Sequence, residues 1–344
     1  IGQNFLEERQ EEFTEKRDKW LWGRGWNHEK FANKELPDRN DLDQISRKIP
    51  ILFKRVCGHI AVANSRALEI AGIEKEVKQP AGGKIDLDKE GKPTGILREN
   101  AISLVNKMIP EETVEIYKKY IESAADRAVK LGLTSVQSDI PVEKGIIDKK
   151  LQALTELDDS GKLPIRVTLQ IRVYSQEDID YFLSLKKKFN LDSGNVDFGL
   201  FKIMCDGSLG GRTAALRDDY TDEAGNKGVA ALEQEKINSI LTHAHQKGFQ
   251  VAGHAIGDRA IEMLLTGFEN MTDNTAHKPS SVESDFRPRI IHAQITADDL
   301  LEKMIELGAV CDIQPIFIGT DLDIAEKRLG QKRAAKSYLW KTMR

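Results

Sequence analysis

Beyond residue 110 the hydrophobic pattern switches repeatedly between two periods. Short runs rich in β-branched and aromatic residues occur at Leu133–Ser138, Ile165–Val173, Phe198–Cys205, Phe249–Ala255, Arg289–Ala293 and Ala309–Gln314. Their length and near-continuous apolarity predict strands of a parallel sheet covered on both faces. Between most of them lie amphipathic stretches at helical spacing, such as Glu112–Lys130, Glu233–Lys247 and Ala297–Leu307. Gly132, Gly248 and Gly308 stand just ahead of three of the runs, where a helix that ends in a left-handed turn favours glycine. Strands alternating with helices predict βαβ units. Six in succession fit a (β/α)8 TIM barrel or a doubly wound sheet. No GxGxxG follows the first strand, which favours the barrel.

Residues 1–110 have a different texture. They hold Trp20, Trp22 and Trp26, turn clusters at Pro37–Asn40 and Pro80–Gly83, and a segment, Asp86–Pro93, that predicts a hairpin tip with its turn at Glu90-Gly91. The expected division is therefore an inserted or appended subdomain over 1–110 and an α/β barrel domain over 111–344.

Composition narrows the class of protein. The 344 residues carry 51 Lys and Arg against 55 Asp and Glu, a net charge of −4, too balanced for a dedicated nucleic-acid binder. With 40% hydrophobic and 31% charged residues the chain reads as globular rather than disordered. It contains no apolar stretch long enough to span a bilayer. Cys57, Cys205 and Cys311 are widely spaced, so no disulfide framework is expected and a reducing cytoplasm suits the chain. The first residues lack the basic and apolar regions of a signal peptide. Helix-like patterns run into both ends, from Ile1 and to Arg344, and suggest a piece of a longer protein.

Parallel barrels place their chemistry at the C-terminal ends of the strands. Lys202, His254 and His292 all fall at or near such ends. Strand alternation puts Leu200, Lys202, Met204 and Asp206 on one face and Phe201, Ile203 and Cys205 on the other. A lysine inside an apolar strand must be paired, neutralised or modified. One buried histidine is usually a satisfied core residue, but two on consecutive strand ends beside a strand lysine mark a site. His243 and His245 form an HxH pair, which binds metal well on a strand. Here it sits in a helix, where i and i+2 point about 200° apart, so a solvated helix end is the better reading. Other candidates are the glycine-rich loop Asp206–Arg212, with Asp206, Ser208 and Arg212 placed to meet an anionic group. Asp258 could cap the following helix or line the pocket. Gln314 ends the last strand, and His59 comes from the N-terminal subdomain.

KIMCDGSLGGRTAAL (202–216), VAGHAIGDRAIE (251–262), RPRIIHAQ (287–294), GHIAVANSRALEIAGI (58–73) and PTGILREN (93–100) together resemble the amidohydrolase superfamily. Within it they resemble the YtcJ-like branch, which includes N-substituted formamide deformylase and AepA-type proteins. The resemblance implies a metal-dependent (β/α)8 barrel of which strands two to seven lie in this sequence. It implies Lys202 as a carboxylated bridging lysine and His254 and His292 as metal ligands, with one or two Zn2+ or another divalent metal. Hydrolysis of a non-peptide amide or formamide C–N bond follows, on a small-molecule substrate. No nucleic-acid or membrane partner is implied, and a homodimer is compatible. His59, Asp206, Ser208, Arg212, Asp258 and Gln314 become candidate substrate contacts, with Trp22 and Trp26 expected to roof the pocket. The HxH of the first strand and the aspartate of the eighth fall outside these residues, so this stretch alone is expected to bind metal weakly. Two other readings stay open: Lys202 as a Schiff-base lysine, and a non-catalytic barrel that binds a ligand or partner.

Overall fold

The computed structural model describes residues 19–28, 31–56, 58, 60–74, 77–80, 82–191, 194–273 and 286–343. The chain divides into two compact units, Ile1–Glu111 and Glu112–Arg344.

The first unit is built on a five-stranded sheet: β1 (Leu21–Trp26), β2 (Ile51–Arg55), β3 (Ile60–Ala63), β4 (Gly83–Leu87) and β5 (Pro93–Glu99), in the order β1-β2-β3-β5-β4. β1 and β2 run parallel and the other pairs antiparallel. The predicted hairpin joins β4 to β5, with Gly91 at φ 77°, a backbone conformation that glycine adopts without a Cβ penalty. Three short helices follow β-strands or loops here: α1 (Arg39–Asp43), α2 (Ser65–Ile70) and α3 (Ala101–Asn106). Asn64 explains how the sheet and α2 stay in register. It caps the helix by accepting from Ala67 N at 2.9 Å, accepts from Ile51 N at 2.9 Å, and donates to the carbonyls of Ser46 and Ile49. Every polar position of this buried side chain is thus satisfied. Trp26 donates its indole N–H to Phe53 O at 3.0 Å and stacks on Phe31, while Trp22 is half exposed.

The second unit contains a six-stranded sheet of β6 (Ser135–Pro141), β7 (Arg166–Arg172), β8 (Val196–Met204), β9 (Gln250–Ala255), β10 (Arg289–His292) and β11 (Val310–Asp312), all parallel. The helices α4 (Val114–Lys130), α5 (Ile146–Asp159), α6 (Gln176–Lys188), α7 (Gln234–Gln246), α8 (Asp258–Asp273) and α9 (Asp298–Glu306) alternate with the strands. Strand order follows chain order from β6 to β11, without the reversal that defines a doubly wound sheet. All six predicted runs form strands, the first displaced two residues toward the C-terminus. Gly132, Gly248 and Gly308 take positive φ of 78°, 83° and 59°, ending the helices before β6, β9 and β11.

The sheet is strongly rolled. β6 and β10 are separated by three intervening strands, about 19 Å in a flat sheet, yet Arg289 Nη2 of β10 donates to Gln137 Oε1 of β6 at 3.1 Å. The result is a half-barrel with distinct outer and inner faces. Leu169, Ile171, Phe201, Ile203, Val251 and Ala255 join the helices in the main hydrophobic core. Phe182, Phe198, Phe201 and Phe249 meet there through tilted and edge-to-face ring contacts with centroids 4.8–5.7 Å apart. The inner face is mixed, with Leu200, Ala252 and Ile291 forming a small apolar floor beside the polar residues described below. Past β11, a one-turn 3-10 helix leads into α10 (Ile318–Ala334), and α11 (Trp340–Met343) closes the described chain. No helix among the described residues is long and apolar enough to cross a membrane.

Candidate active site at the strand ends

Lys202 lies on the inner face of β8, 6% exposed. Its Nζ meets Asp139 Oδ2 of β6 at 2.9 Å. Arg172 of β7, directly in register with Lys202, also donates to Asp139, through Nε at 3.2 Å and Nη2 at 2.6 Å. Two cations on adjacent strands therefore share one carboxylate. Burial pushes the Asp139 carboxyl up, but the hydrogen bonds from Arg172 and Lys202 outweigh it and hold the group below the ordinary carboxylate range.

His254 ends β9 on the same face, with ring Nε2 2.9 Å from the Gly207 carbonyl and 3.2 Å from Asp206 Oδ1. Both neighbours only accept, so in the neutral ring Nε2 carries the hydrogen and Nδ1 keeps its lone pair. His292 reaches the site by a different route. Strict alternation would pair it with Ala255 and aim it into the outer core. Instead, His292 and Ala293 adopt φ of 83° and 44°, uncommon for residues with a Cβ. The ring lies 4.5 Å from that of His254 and stacks on Phe317. Backbone strain of this kind collects at functional positions. His292 Nδ1 faces Gln314 Oε1 at 2.5 Å. The orientation of the Gln314 amide is set by its Nε2, which donates to Asp312 O at 2.9 Å. Nδ1 of His292 is thus the protonated nitrogen and Nε2 the free one, the reverse of His254. Burial, reinforced by the neighbouring His254, lowers His292 to about 4, so the ring is neutral and able to donate a lone pair at physiological pH.

The long segment between β8 and α7 folds over these strand ends. The fully buried carboxylate of Asp206 accepts from Ile256 N at 3.1 Å and Ala215 N at 3.0 Å, and from Gly257 N at 2.8 Å. Ser208 Oγ accepts from Gly211 N and Ser208 N donates to Thr213 Oγ1. Arg212 pairs with Asp222 and Glu223. Arg328 of α10 also pairs with Asp222. Asp258, raised by burial, accepts from Arg217 N and Arg259 N at the start of α8. Leu209, Ala214, Leu216, Tyr220, Ile256, Ile295, Ala325 and Leu329 pack beneath as a separate apolar cluster.

Lys202, His254, His292 and Gln314 thus come together. Asp206 touches His254, while Ser208, Arg212 and Asp258 are engaged in holding the loop and α10 in place. His59 lies outside the described residues. In the helical HxH pair, His243 meets Asp180 at 3.0 Å, but His245 is not solvated as expected. It is buried against Phe286, because its side of α7 faces the main core. Sequence reasoning missed Asp139, Arg172, Gln137, Gln170, Arg289 and Asp312. Gln170 donates to Gln137, and Arg289 pairs with Asp312 through two bonds. For Gln137 and Asp139, and for Gln170 and Arg172, the signal was present as polar residues two apart within a strand; Arg289 and Asp312 have no such partner inside theirs.

Two imidazoles 4.5 Å apart therefore stand beside a buried lysine at the strand ends of a parallel half-barrel. Among the described residues no group of three His, Cys, Asp or Glu side chains completes a metal site by itself. The chain belongs to the amidohydrolase family, whose model matches residues 6–344. It is 34% identical over 328 residues to YtcJ of Bacillus subtilis, which carries an amidohydrolase name, covering 94% of this chain and 58% of that one. It is 24% identical over 305 residues to the N-substituted formamide deformylase of Arthrobacter pascens, covering 84% of this chain and 52% of that one. A metal-dependent hydrolase of Pyrococcus horikoshii, uncharacterised in function, superposes with a TM-score of 0.72 at 30% identity over 98% of this chain and 62% of its own. The chain therefore spans between about half and three fifths of the length of these relatives.

Proposed function

We propose that this chain carries the central part of a metal-dependent hydrolase that cleaves an amide- or formamide-type C–N bond in a small molecule. We infer that β6 to β11 are strands two to seven of an eight-stranded barrel. The observation that carries the reading is the His254–His292 pair, whose accepting nitrogens are fixed by separate protein acceptors. Second partners that orient ligating imidazoles are the usual companions of a metal site. Family membership and the metal-dependent hydrolase from P. horikoshii support it, and the deformylase relative suggests the bond type.

In this reading His254 Nδ1 and His292 Nε2 donate to a divalent ion, for which zinc is our first choice. Lys202 contributes an anionic oxygen once its neutral amine has added to carbon dioxide and lost a proton, leaving a carbamate. Other ligands come from parts of the polypeptide outside the described strands. A bound ion would supply Lewis acidity to polarise the scissile carbonyl and activate water near neutral pH. Lys202 and the two histidines hold the reaction centre at the strand ends, Gln314 keeps His292 in its donating tautomer, and the 206–233 loop shields them from bulk water.

Elemental analysis of the full-length polypeptide tests this. One or two divalent ions per chain, lost in Lys202→Ala and His254→Ala, together with turnover of N-formyl or N-acyl amines, are expected. A metal-free wild type that also lacks turnover overturns the reading. Trapping of a carbonyl substrate on Lys202 by borohydride would then point to Schiff-base chemistry.

A further inference from the structure

We propose that Asp206 is a positioning residue that fixes His254 for metal binding and ties that ligand to the loop over the site; the inference rests on the metal-site reading above. Three backbone N–H groups donate to the Asp206 carboxylate, and the ring edge of His254 lies against it. Oδ1 faces Ile256 N at 3.1 Å and His254 Nε2 at 3.2 Å. Oδ2 faces Ala215 N at 3.0 Å and Gly257 N at 2.8 Å. The side chain is 0% exposed, so it has no room to rotate and no water to substitute for a lost partner.

The origins of these donors give the arrangement its meaning. Ala215 belongs to the loop after β8, Ile256 and Gly257 form the turn into α8, and His254 ends β9. One carboxylate therefore joins two chain segments to a single imidazole edge. A buried carboxylate requires compensation, and the ionisable partner it meets here is His254. A carboxylate 3.2 Å from Nε2 raises electron density at Nδ1 and strengthens it as a donor to a cation. The neighbouring Gly207 carbonyl, 2.9 Å from the same nitrogen, fixes direction but carries no charge. The Asp-Gly pair thus divides the work, the carbonyl aiming the ring and the carboxylate placing a negative charge at its edge.

The test is a double-mutant cycle on the full-length polypeptide, read as zinc affinity by chelator competition. Asp206→Asn should weaken binding by about 10- to 100-fold. In a His254→Ala background the same change should have no further effect. An unchanged affinity, or an equal loss in both backgrounds, overturns the proposal and assigns Asp206 to loop folding alone. Should Asp206→Asn fail to fold, histidine 15N NMR of the metal-free wild type decides instead. A His254 ring protonated at Nε2 alone is expected, and one protonated at Nδ1 overturns the proposal. Because this second measurement needs no metal, it stays decisive for the orientation of His254 even where metal analysis goes against the proposed function.

Discussion

Arg289 of β10 and Gln137 of β6 meet at 3.1 Å across the interior of a rolled parallel sheet. The same guanidinium binds Asp312 of β11 at 2.9 and 2.8 Å, and Gln170 of β7 donates to Gln137 at 2.6 Å. Four strands are thus laced together on their inner face. This lacing lies below the reactive ends and holds the curvature that brings Asp139 to Lys202. Arg289→Met should cost about 1–3 kcal/mol, since it strands a half-buried Asp312. The double variant Arg289→Met/Asp312→Leu should recover part of the loss in urea unfolding. A single variant as stable as the wild type would show that the apolar floor alone sets the curvature.

Asp139 bridges Lys202 and Arg172 and offsets their mutual repulsion. In the metal-free protein, where Lys202 is uncarboxylated, Asp139→Asn should destabilise the unit by about 2 kcal/mol, because two cations then face each other on adjacent strands. Adding Lys202→Met should restore most of that loss, and the effect of Asp139→Asn should shrink in high salt. Thermal melts at two ionic strengths check both expectations; no rescue by Lys202→Met would mean the two cations do not interact.

Gly257 sits against the loop so closely that an added Cβ would overlap the Ala215 carbonyl. Gly257→Ala must displace either the loop or the start of α8, and with them two of the N–H groups on Asp206. We expect a loss of about 1–3 kcal/mol and new proteolytic cleavage between Asp206 and Glu233. Intact resistance to protease would show that the loop adapts without leaving Asp206.

His245 should give the fold an acid sensitivity separate from the site. It is buried on α7 with Nδ1 lacking a hydrogen-bond partner, and burial lowers its pKa from 6.5. The unfolded chain therefore takes up a proton near pH 6.5 while the folded one resists. Stability contributed by the neutral ring is complete above that pH and falls as the pH drops through the lowered value. His245→Leu should keep the packing on Phe286 and flatten the stability–pH curve below pH 6.5, by up to one proton's worth. Parallel wild-type and variant curves in urea titrations at pH 5 to 8 would exclude the effect.

Much of this could be read from the chain because local chemistry dictates it. The apolar runs at Ile165–Val173 and Phe198–Cys205 have to be strands with one face in a core, and glycines such as Gly248 have to end helices where φ turns positive. A lysine at position 202 had to find a partner or a modification, whatever the fold. Linear order also settled the sequence of strands, since short αβ connections keep neighbours adjacent. What the pattern could not supply was the partner of each polar group. Asp139 lies 63 residues from Lys202 and Gln137 lies 152 residues from Arg289. Only the rolling of the sheet, a sum of twists and packing over six strands, brings them within reach. Nor could alternation foresee His292, whose left-handed backbone turns the ring toward His254. Which nitrogen each histidine protonates follows from Gly207 and Gln314, because a tautomer is set by the acceptor that surrounds it and not by the residue itself.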